Sequence, residues 1–321
     1  MDGTSLDTSS VLLTGATGFL GRHCLNALTQ RFGQVHAVAH RKPIVAADSV
    51  IKHEVNLLDP AAVDHLIDQT RPSHLLHLAW VNAHSTFWHS AENLRWLEAS
   101  LHLVQKFTEC GGQRLVTAGS CAEYRYDQGT CHEDRTPLAP DSFYGQCKQS
   151  MQSLIESYAR EQQLSYAHSR IFHLYGPHEN PLRFVPTVIR SLLHTSHSKC
   201  SDGHQIRDYL YVEDAADAHT QLLCSDYQGC VNIGSGLPVS LRQLASTIQS
   251  LVGRSAHLIE FGRIPRRDNE PTVLLADTRR ISREIGWVPH WDLNAGLFHT
   301  IQWWKDQEMQ CTSPPPAPAA A

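Results

Sequence analysis

The opening residues constrain the fold more than any other stretch. An apolar run, Val11-Leu-Leu-Thr14, ends in Gly15-Ala-Thr-Gly18-Phe-Leu-Gly21, and an amphipathic pattern from Arg22 to Gln30 follows. This reads as a strand, a glycine turn and a helix. Gly15 lets the chain turn tightly, Gly18 lets the backbone approach a pyrophosphate, and Gly21 lets helix and strand pack closely. The helix N-terminus adds free N–H groups and a positive dipole end for phosphates. Thr17, Phe19 and Leu20 lie between these glycines and are expected to line the same nucleotide site. The spacing is G-x-x-G-x-x-G rather than G-x-G-x-x-G.

The pattern then repeats. Residues 34–39, 74–79, 114–119 and 166–172 read as strands, and 61–69, 91–110 and 141–161 as helices. Asp59-Pro60 supplies an N-cap and a first-turn proline, and Gly111-Gly112 a stop. Strands alternating with helices predict an α/β fold with a Rossmann-type doubly wound parallel sheet. Ligands of such sheets bind beyond the carboxyl ends of the strands, where Gly15, Ala79 and Ser120 all fall. Beyond Tyr175 the chain is broken by Pro177, Pro181 and Pro186. Residues 210–223 read as strand then helix, and 240–252 as a helix capped by Ser240. The expected organisation is a dinucleotide-binding domain over 1–172, with 204–231 returning to it. A smaller C-terminal substrate-binding domain takes 173–203 and 232–305, and 306–321 form a disordered tail.

Tyr144 and Lys148 stand four apart in Phe143-Tyr-Gly-Gln-Cys-Lys148, which places them one turn apart on one helix face. A free phenol has a pKa of about 10. An ammonium beside it is expected to lower that value and give a general acid/base useful near neutral pH.

Composition bounds the partners. The chain has 321 residues, 18% charged and 41% hydrophobic, with a formal net charge of −5. That balance gives no reason to expect nucleic acid or an anionic membrane surface as partner. No stretch approaches the roughly 20 apolar residues of a membrane span, and the N-terminus carries no signal-peptide core. Nine cysteines without C-x-x-C read as reduced, cytoplasmic thiols. His74 and His77 share a strand and, three apart, point to opposite faces, so no metal site is expected.

Taken together these motifs name a family. Thr14-Gly-Ala-Thr-Gly-Phe-Leu-Gly21, His77-Leu-Ala79, Ser120, Tyr144-x-x-x-Lys148, Leu174-Tyr-Gly-Pro177, Arg207-Asp-Tyr-Leu-Tyr-Val212, Val231-Asn-Ile-Gly234 and Ile285-Gly-Trp-Val-Pro289 occur in order. The chain resembles the extended short-chain dehydrogenase/reductases that modify nucleotide sugars. The resemblance implies that Tyr144 is the catalytic acid/base. Lys148 would tune it and bind the nicotinamide ribose, and Ser120 would hydrogen-bond the reacting sugar oxygen. It further implies dinucleotide contacts at Leu78, Ala79 and Trp80, and at Asn56-Leu57, where the family often has Asp-Leu. Arg207 and Arg267 would clamp the substrate diphosphate, with Arg183 a further candidate and Glu270 near its ribose. Cys121, His173 and His178 are expected to face the substrate, His173 standing where Asn is usual. Asn93 matches a family position that is either structural or catalytic. A homodimer through helices 91–110 and 141–161 is also implied.

Relatives that bind NAD usually place an acid after the second strand. Here that strand ends in Val38-Ala39-His40-Arg41-Lys42. With no acid and two cations, NADP(H) is the expected cofactor, NAD(H) remaining possible. Three reactions share the fold. A 4,6-dehydratase needs an Asp-Glu pair directly after the serine, where Cys121-Ala122 stand. A 3,5-epimerase/4-reductase needs a Cys two residues after the serine and a His; Ala122 occupies the first place and His178 resembles the second. A 4-epimerase or a plain ketoreductase needs no further groups. The runs His77-Leu-Ala-Trp80, Phe87-to-Trp96 and Cys121-Ala-Glu-Tyr124 are similar to 4-ketoreductases of deoxysugar nucleotides. The expected reaction is reduction of an NDP-4-keto-6-deoxysugar. An epimerase is the alternative, and a non-catalytic dinucleotide sensor a third.

Overall fold

The computed structural model describes residues 7–81, 87–266 and 270–312. Strand β1 (Asp7–Thr14) leads into α1 (Gly21–Thr29), β2 (Phe32–Ala39), β3 (Val50–Glu54), α2 (Pro60–Thr70), β4 (His74–His77), α3 (Glu92–Glu109) and β5 (Arg114–Ser120). A 3-10 turn (Cys121–Glu123) follows, then β6 (Gly129–Cys131), α4 (Phe143–Glu161), β7 (Ser165–Ile171), β8 (His173–Tyr175), α5 (Phe184–Leu193), β9 (Ser198–Lys199) and β10 (Ile206–Tyr211). The remaining elements are α6 (Val212–Cys224), β11 (Gly229–Ile233), β12 (Pro238–Ser240), α7 (Leu241–Val252), β13 (Ile259–Glu260), β14 (Val273–Ala276), α8 (Arg279–Glu284) and α9 (Leu293–Thr312).

Seven strands form a parallel sheet in the order β11-β7-β5-β4-β1-β2-β3. Val11, Leu12 and Leu13 are fully buried because helices cover both faces. Cys24, Leu25 and Leu28 of α1 and Ala215, Ala218 and Leu222 of α6 pack on one face. Val63 and Ile67 of α2, Leu103 and Phe107 of α3, and Met151 and Ile155 of α4 pack on the other. Strand order reverses between β1 and β4, so a crevice opens there at the carboxyl ends. His77 and His74 face opposite sides of the sheet. His77 lies between Thr14 Oγ1 (2.8 Å) and Ser100 Oγ (2.9 Å), while His74 packs on the Phe32 ring.

Strand β3 has no counterpart among the sequence expectations. It is an edge strand in which only Val50 is buried, so its sequence carries no apolar alternation. The strand expected over 74–79 ends at His77, because Leu78 and Ala79 turn under the glycine loop and Ala79 N donates to Thr14 Oγ1 at 3.3 Å.

A second sheet runs β12-β10-β14-β6, with β8 paired to β10. Helices α5, α7 and α9 build its core through Val188, Ile189, Leu244, Ile248, Leu297 and Ile301. Residues 204–231 do not return whole to the first sheet: β10 belongs to the second, and α6 and the start of β11 to the first. Order also extends past Asp306, since α9 runs to Thr312. Glu308 explains this: it accepts from Arg190 Nε at 2.7 Å and pairs with His194 Nε2 at 2.9 Å, tying the helix to α5 and its C-terminal end. Residues 313–321 lie outside the described residues.

Candidate active site

The glycine loop is packed backbone on backbone. Gly15 has φ +74°, and an added Cβ there would lie 2.9 Å from Ala79 N; one on Gly21 would lie 2.2 Å from Gly15 O. No side chain fits, because strand, turn and helix meet main chain to main chain there. Arg22 Nη2 donates to Thr17 O at 2.9 Å and braces the turn into α1, which opens just after Phe19 and Leu20. Exposed His40, Arg41 and Lys42 follow β2, Arg41 in the left-handed region at φ 66°. Asn56 and buried Leu57 follow β3, the Asn56 side chain accepting from Leu58 N at 3.2 Å. Leu78, Ala79 and Trp80 follow β4. These residues thus share the carboxyl edge of β1–β4, and a glycine turn opening onto the N-terminus of α1 fits a dinucleotide pyrophosphate.

Ser120 ends β5, and its Oγ accepts from Ala122 N at 3.1 Å. Tyr144 opens α4 with its amide on Trp88 O (3.0 Å) and its ring edge-on to Phe87 and Trp88. Burial pushes the phenol well above its ordinary value, and a hydrogen bond from Ser120 pulls it part of the way back. Ser120 and Tyr144 are therefore brought together. Lys148 is buried, donates from Nζ to Ala118 O at 2.8 Å, and lies over the Trp80 ring at 3.9 Å. Burial lowers its pKa to about 7, against a raising influence from Glu123. Lys148 Nζ is engaged by Ala118 O and the face of Trp80, and Arg183 is one cation that lowers Tyr144. Asn93 is fully buried, accepting from Trp80 Nε1 (2.9 Å) and donating to Phe87 O and Ser90 O.

A buried ionic cluster behind Ser120 escaped the sequence reading. Glu123 Oε1 accepts from Ser120 N at 2.8 Å, and the carboxylate also meets His168 Nε2 (3.2 Å) and Arg170 Nε (2.9 Å). Arg170 Nη1 continues to Tyr124 Oη at 3.1 Å, which donates to Asn232 Oδ1 at 2.7 Å. Burial opposes ionisation of Glu123, but His168 and Arg170 outweigh it and hold the carboxyl below its ordinary range. The available signal was Ser120-x-x-Glu123, a capping-box spacing.

On the substrate side, Arg207 is buried and pairs with Glu270 Oε1 at 2.8 Å, and Glu270 also accepts from Gln205 at 3.0 Å. Arg183 is exposed at the start of α5, over the Phe87 ring. His173 stacks on Tyr209, and burial, with Arg207 and Arg183, lowers its pKa to about 3. Its Nδ1 is buried without a partner among the described residues, as is Glu179 Oε2. Burial lifts Glu179 to about 8, against Arg183, so it is a neutral acid at pH 7. Cys121 is buried beside Ser120 and its thiol is pushed up to about 12, chiefly by burial. His178 packs on Trp303 and His23, where burial, Arg22 and His23 lower it to about 4. Arg267 lies outside the described residues.

A Rossmann-type parallel sheet with this glycine loop and a Ser-Tyr-Lys cluster at its carboxyl edge defines a nicotinamide-dependent oxidoreductase scaffold. Residues 11–234 match the model of the NAD dependent epimerase/dehydratase family, and the chain belongs to that family, as an enzyme of the extended short-chain dehydrogenase/reductase type. It is similar to a CDP-abequose synthase of Salmonella typhimurium, 25% identical, with 91% of this chain and 97% of that protein covered. A UDP-glucose 4-epimerase of Corynebacterium glutamicum is 26% identical over 88% of this chain and 92% of its own. Among solved structures, MoeE5 in complex with UDP-glucuronic acid and NAD superposes with TM-score 0.82 at 27% identity, covering 93% of this chain and all of that one (100%).

Proposed function

We propose that the protein is a 4-ketoreductase acting on an NDP-4-keto-6-deoxysugar. The observation that carries this reading is the setting of the positions that the alternative reactions use. Ala122 stands where a dehydratase has its acid, Cys121 is held as a thiol by burial, and His178 is turned to Trp303. When bound, the nicotinamide supplies the hydride. The Ser120 hydroxyl holds the ketone oxygen, and Tyr144 donates its proton to the forming alkoxide. Lys148 carries the nicotinamide ribose. A phenol held above its ordinary value remains protonated at neutral pH and is suited to donating. Arg207, Arg183 and Arg267 bind the diphosphate. The test is stoichiometric oxidation of reduced nicotinamide with a 4-keto sugar nucleotide. Sugar interconversion without net oxidation instead establishes the second reading, a 4-epimerase, which the 26% identity to a UDP-glucose 4-epimerase favours.

The preferred cofactor is NADP(H), supported by exposed His40, Arg41 and Lys42 after β2 with no acid among them. Arg41→Ala is expected to raise the Kd for NADPH about tenfold and leave NADH nearly unchanged; equal effects in titration overturn this choice. The protein acts as a cytoplasmic homodimer through α3 and α4, whose Leu94 and Leu154 are exposed.

A further inference from the structure

Strand β5 is gripped at its carboxyl end by successive polar bonds. Thr117 Oγ1 meets His168 Nδ1 at 2.7 Å, Ala118 O accepts from Lys148 Nζ at 2.8 Å, and Ser120 N donates to Glu123 Oε1 at 2.8 Å. Between them Gly119 has no room for a side chain: a Cβ would lie 2.1 Å from His168 Nε2 and 2.2 Å from Glu123 Oε1. Glu123 is wholly buried and reaches both the amide of Ser120 and the Arg170 guanidinium. A carboxylate only accepts, so His168 Nε2 carries the proton toward Glu123 and Nδ1 accepts from Thr117. The imidazole stays neutral because burial lowers its pKa.

We propose that Glu123 is a positioning residue for the Ser-Tyr-Lys site, its carboxylate fixing the Ser120 amide on one side and serving as counter-charge to the buried Lys148 ammonium on the other. This rests on reading Tyr144 and Lys148 as the acid/base pair. Around Lys148 stand His77 of β4, Trp80 after it, Glu123, His168 and Arg170 of β7, the Arg170 guanidinium paired to Glu123 at 2.9 Å, and Tyr144 of its own helix. His77 and His168 are neutral and Tyr144 is protonated, so Glu123 is the anion acting on Lys148 among the described residues. Burial drives the ammonium toward the neutral amine, and Glu123 opposes it. A buried ion pair is a weak source of net stability, yet removing one member leaves the other charge uncompensated. Such a cluster placed behind a reacting serine acts through geometry and field.

The test uses full-length protein carrying ε-13C lysine, with the Lys148 resonance assigned by Lys148→Arg. Wild-type Lys148 is expected to titrate near 7. Glu123→Gln should move that midpoint down by about one pH unit. It should also speed exchange of the Ser120 amide at least about tenfold. A merely structural role loosens the region without moving the Lys148 midpoint, and an unmoved midpoint overturns the proposal. Glu123→Asp keeps a charge beside Arg170 and serves where Gln prevents folding. There the midpoint should stay near that of the wild type while Ser120 exchange quickens, and unchanged exchange overturns the proposal. Neither readout needs a substrate, so a wrong assignment of the reaction leaves this test intact.

Discussion

At the phenol of Tyr144 two effects compete. Burial among Phe87, Trp88 and the 121–123 turn resists the phenolate, while the Ser120 hydrogen bond favours it. Burial wins in the described state, which suits proton donation to a ketone. Tyr144→Phe should cut turnover roughly a hundredfold or more. Dinucleotide binding by titration should change little, and full activity in this variant would remove Tyr144 from the mechanism. The spacing of Tyr144 and Lys148 was legible because a helix puts residues four apart on one face. The electrostatics were not, since sequence proximity does not tell that Lys148 Nζ turns to Ala118 O and the face of Trp80.

At the scale of elements, α4 can carry the pair only because it presses against the turn after β5. An added Cβ at Gly145 would lie 2.3 Å from Ala122 O. Gly145→Ala must push the helix start away, and a loss of about 1–3 kcal/mol in urea unfolding is expected, with activity falling further than stability. Retained wild-type activity would show that the turn and helix need no such contact. The buried strands β1, β4, β5 and β7 were legible from short apolar runs bounded by turn signals. Edge strand β3 was not, because Ile51, Lys52 and Glu54 face outward and the hydrogen bonds to β2 alone make it a strand. The last turns of α9 were missed for a related reason: their order depends on Arg190 and His194, far off in sequence, meeting Glu308.

For the molecule as a whole, buried neutral histidines set the response to acid. Burial lowers His77 to about 3 and His219 to about 4, and His173 likewise to about 3. Their unfolded pKa is about 6.5, so below that pH the unfolded chain binds protons the folded one refuses. The stability is fully present above 6.5 and drains as pH falls toward 4. Glu179, raised to about 8, works the other way, as do Glu133, Asp208 and Asp214, but burial also lowers His23, His36, His53, His168 and His178, so the imidazoles outnumber the raised acids among the described residues. Thermal melts should therefore show Tm dropping between about pH 6.5 and 4.5, and a flat or rising Tm there contradicts buried, neutral imidazoles. Assembly offers a second check. Leu154 is 52% exposed on α4, and Leu154→Glu should convert a dimer to monomer in light scattering; an unchanged mass places the interface elsewhere.

The sequence by itself determined the sheet's class, the glycine loop, the carboxyl edge on which the loop and Ser120 fall, and the spacing of Tyr144 and Lys148 on one helix. Each of these follows from local periodicity or from short motifs whose geometry the backbone dictates. Only the tertiary structure decided what surrounds that chemistry. Glu123, His168 and Arg170 lie 45 and 47 residues apart in sequence and meet because β5 and β7 are neighbours in the sheet. His178 meets His23 and Trp303 because the loop after β8 packs on α1 and α9. Charge and burial at a site are sums over neighbours brought together by strand pairing and helix packing. No window along the chain contains them.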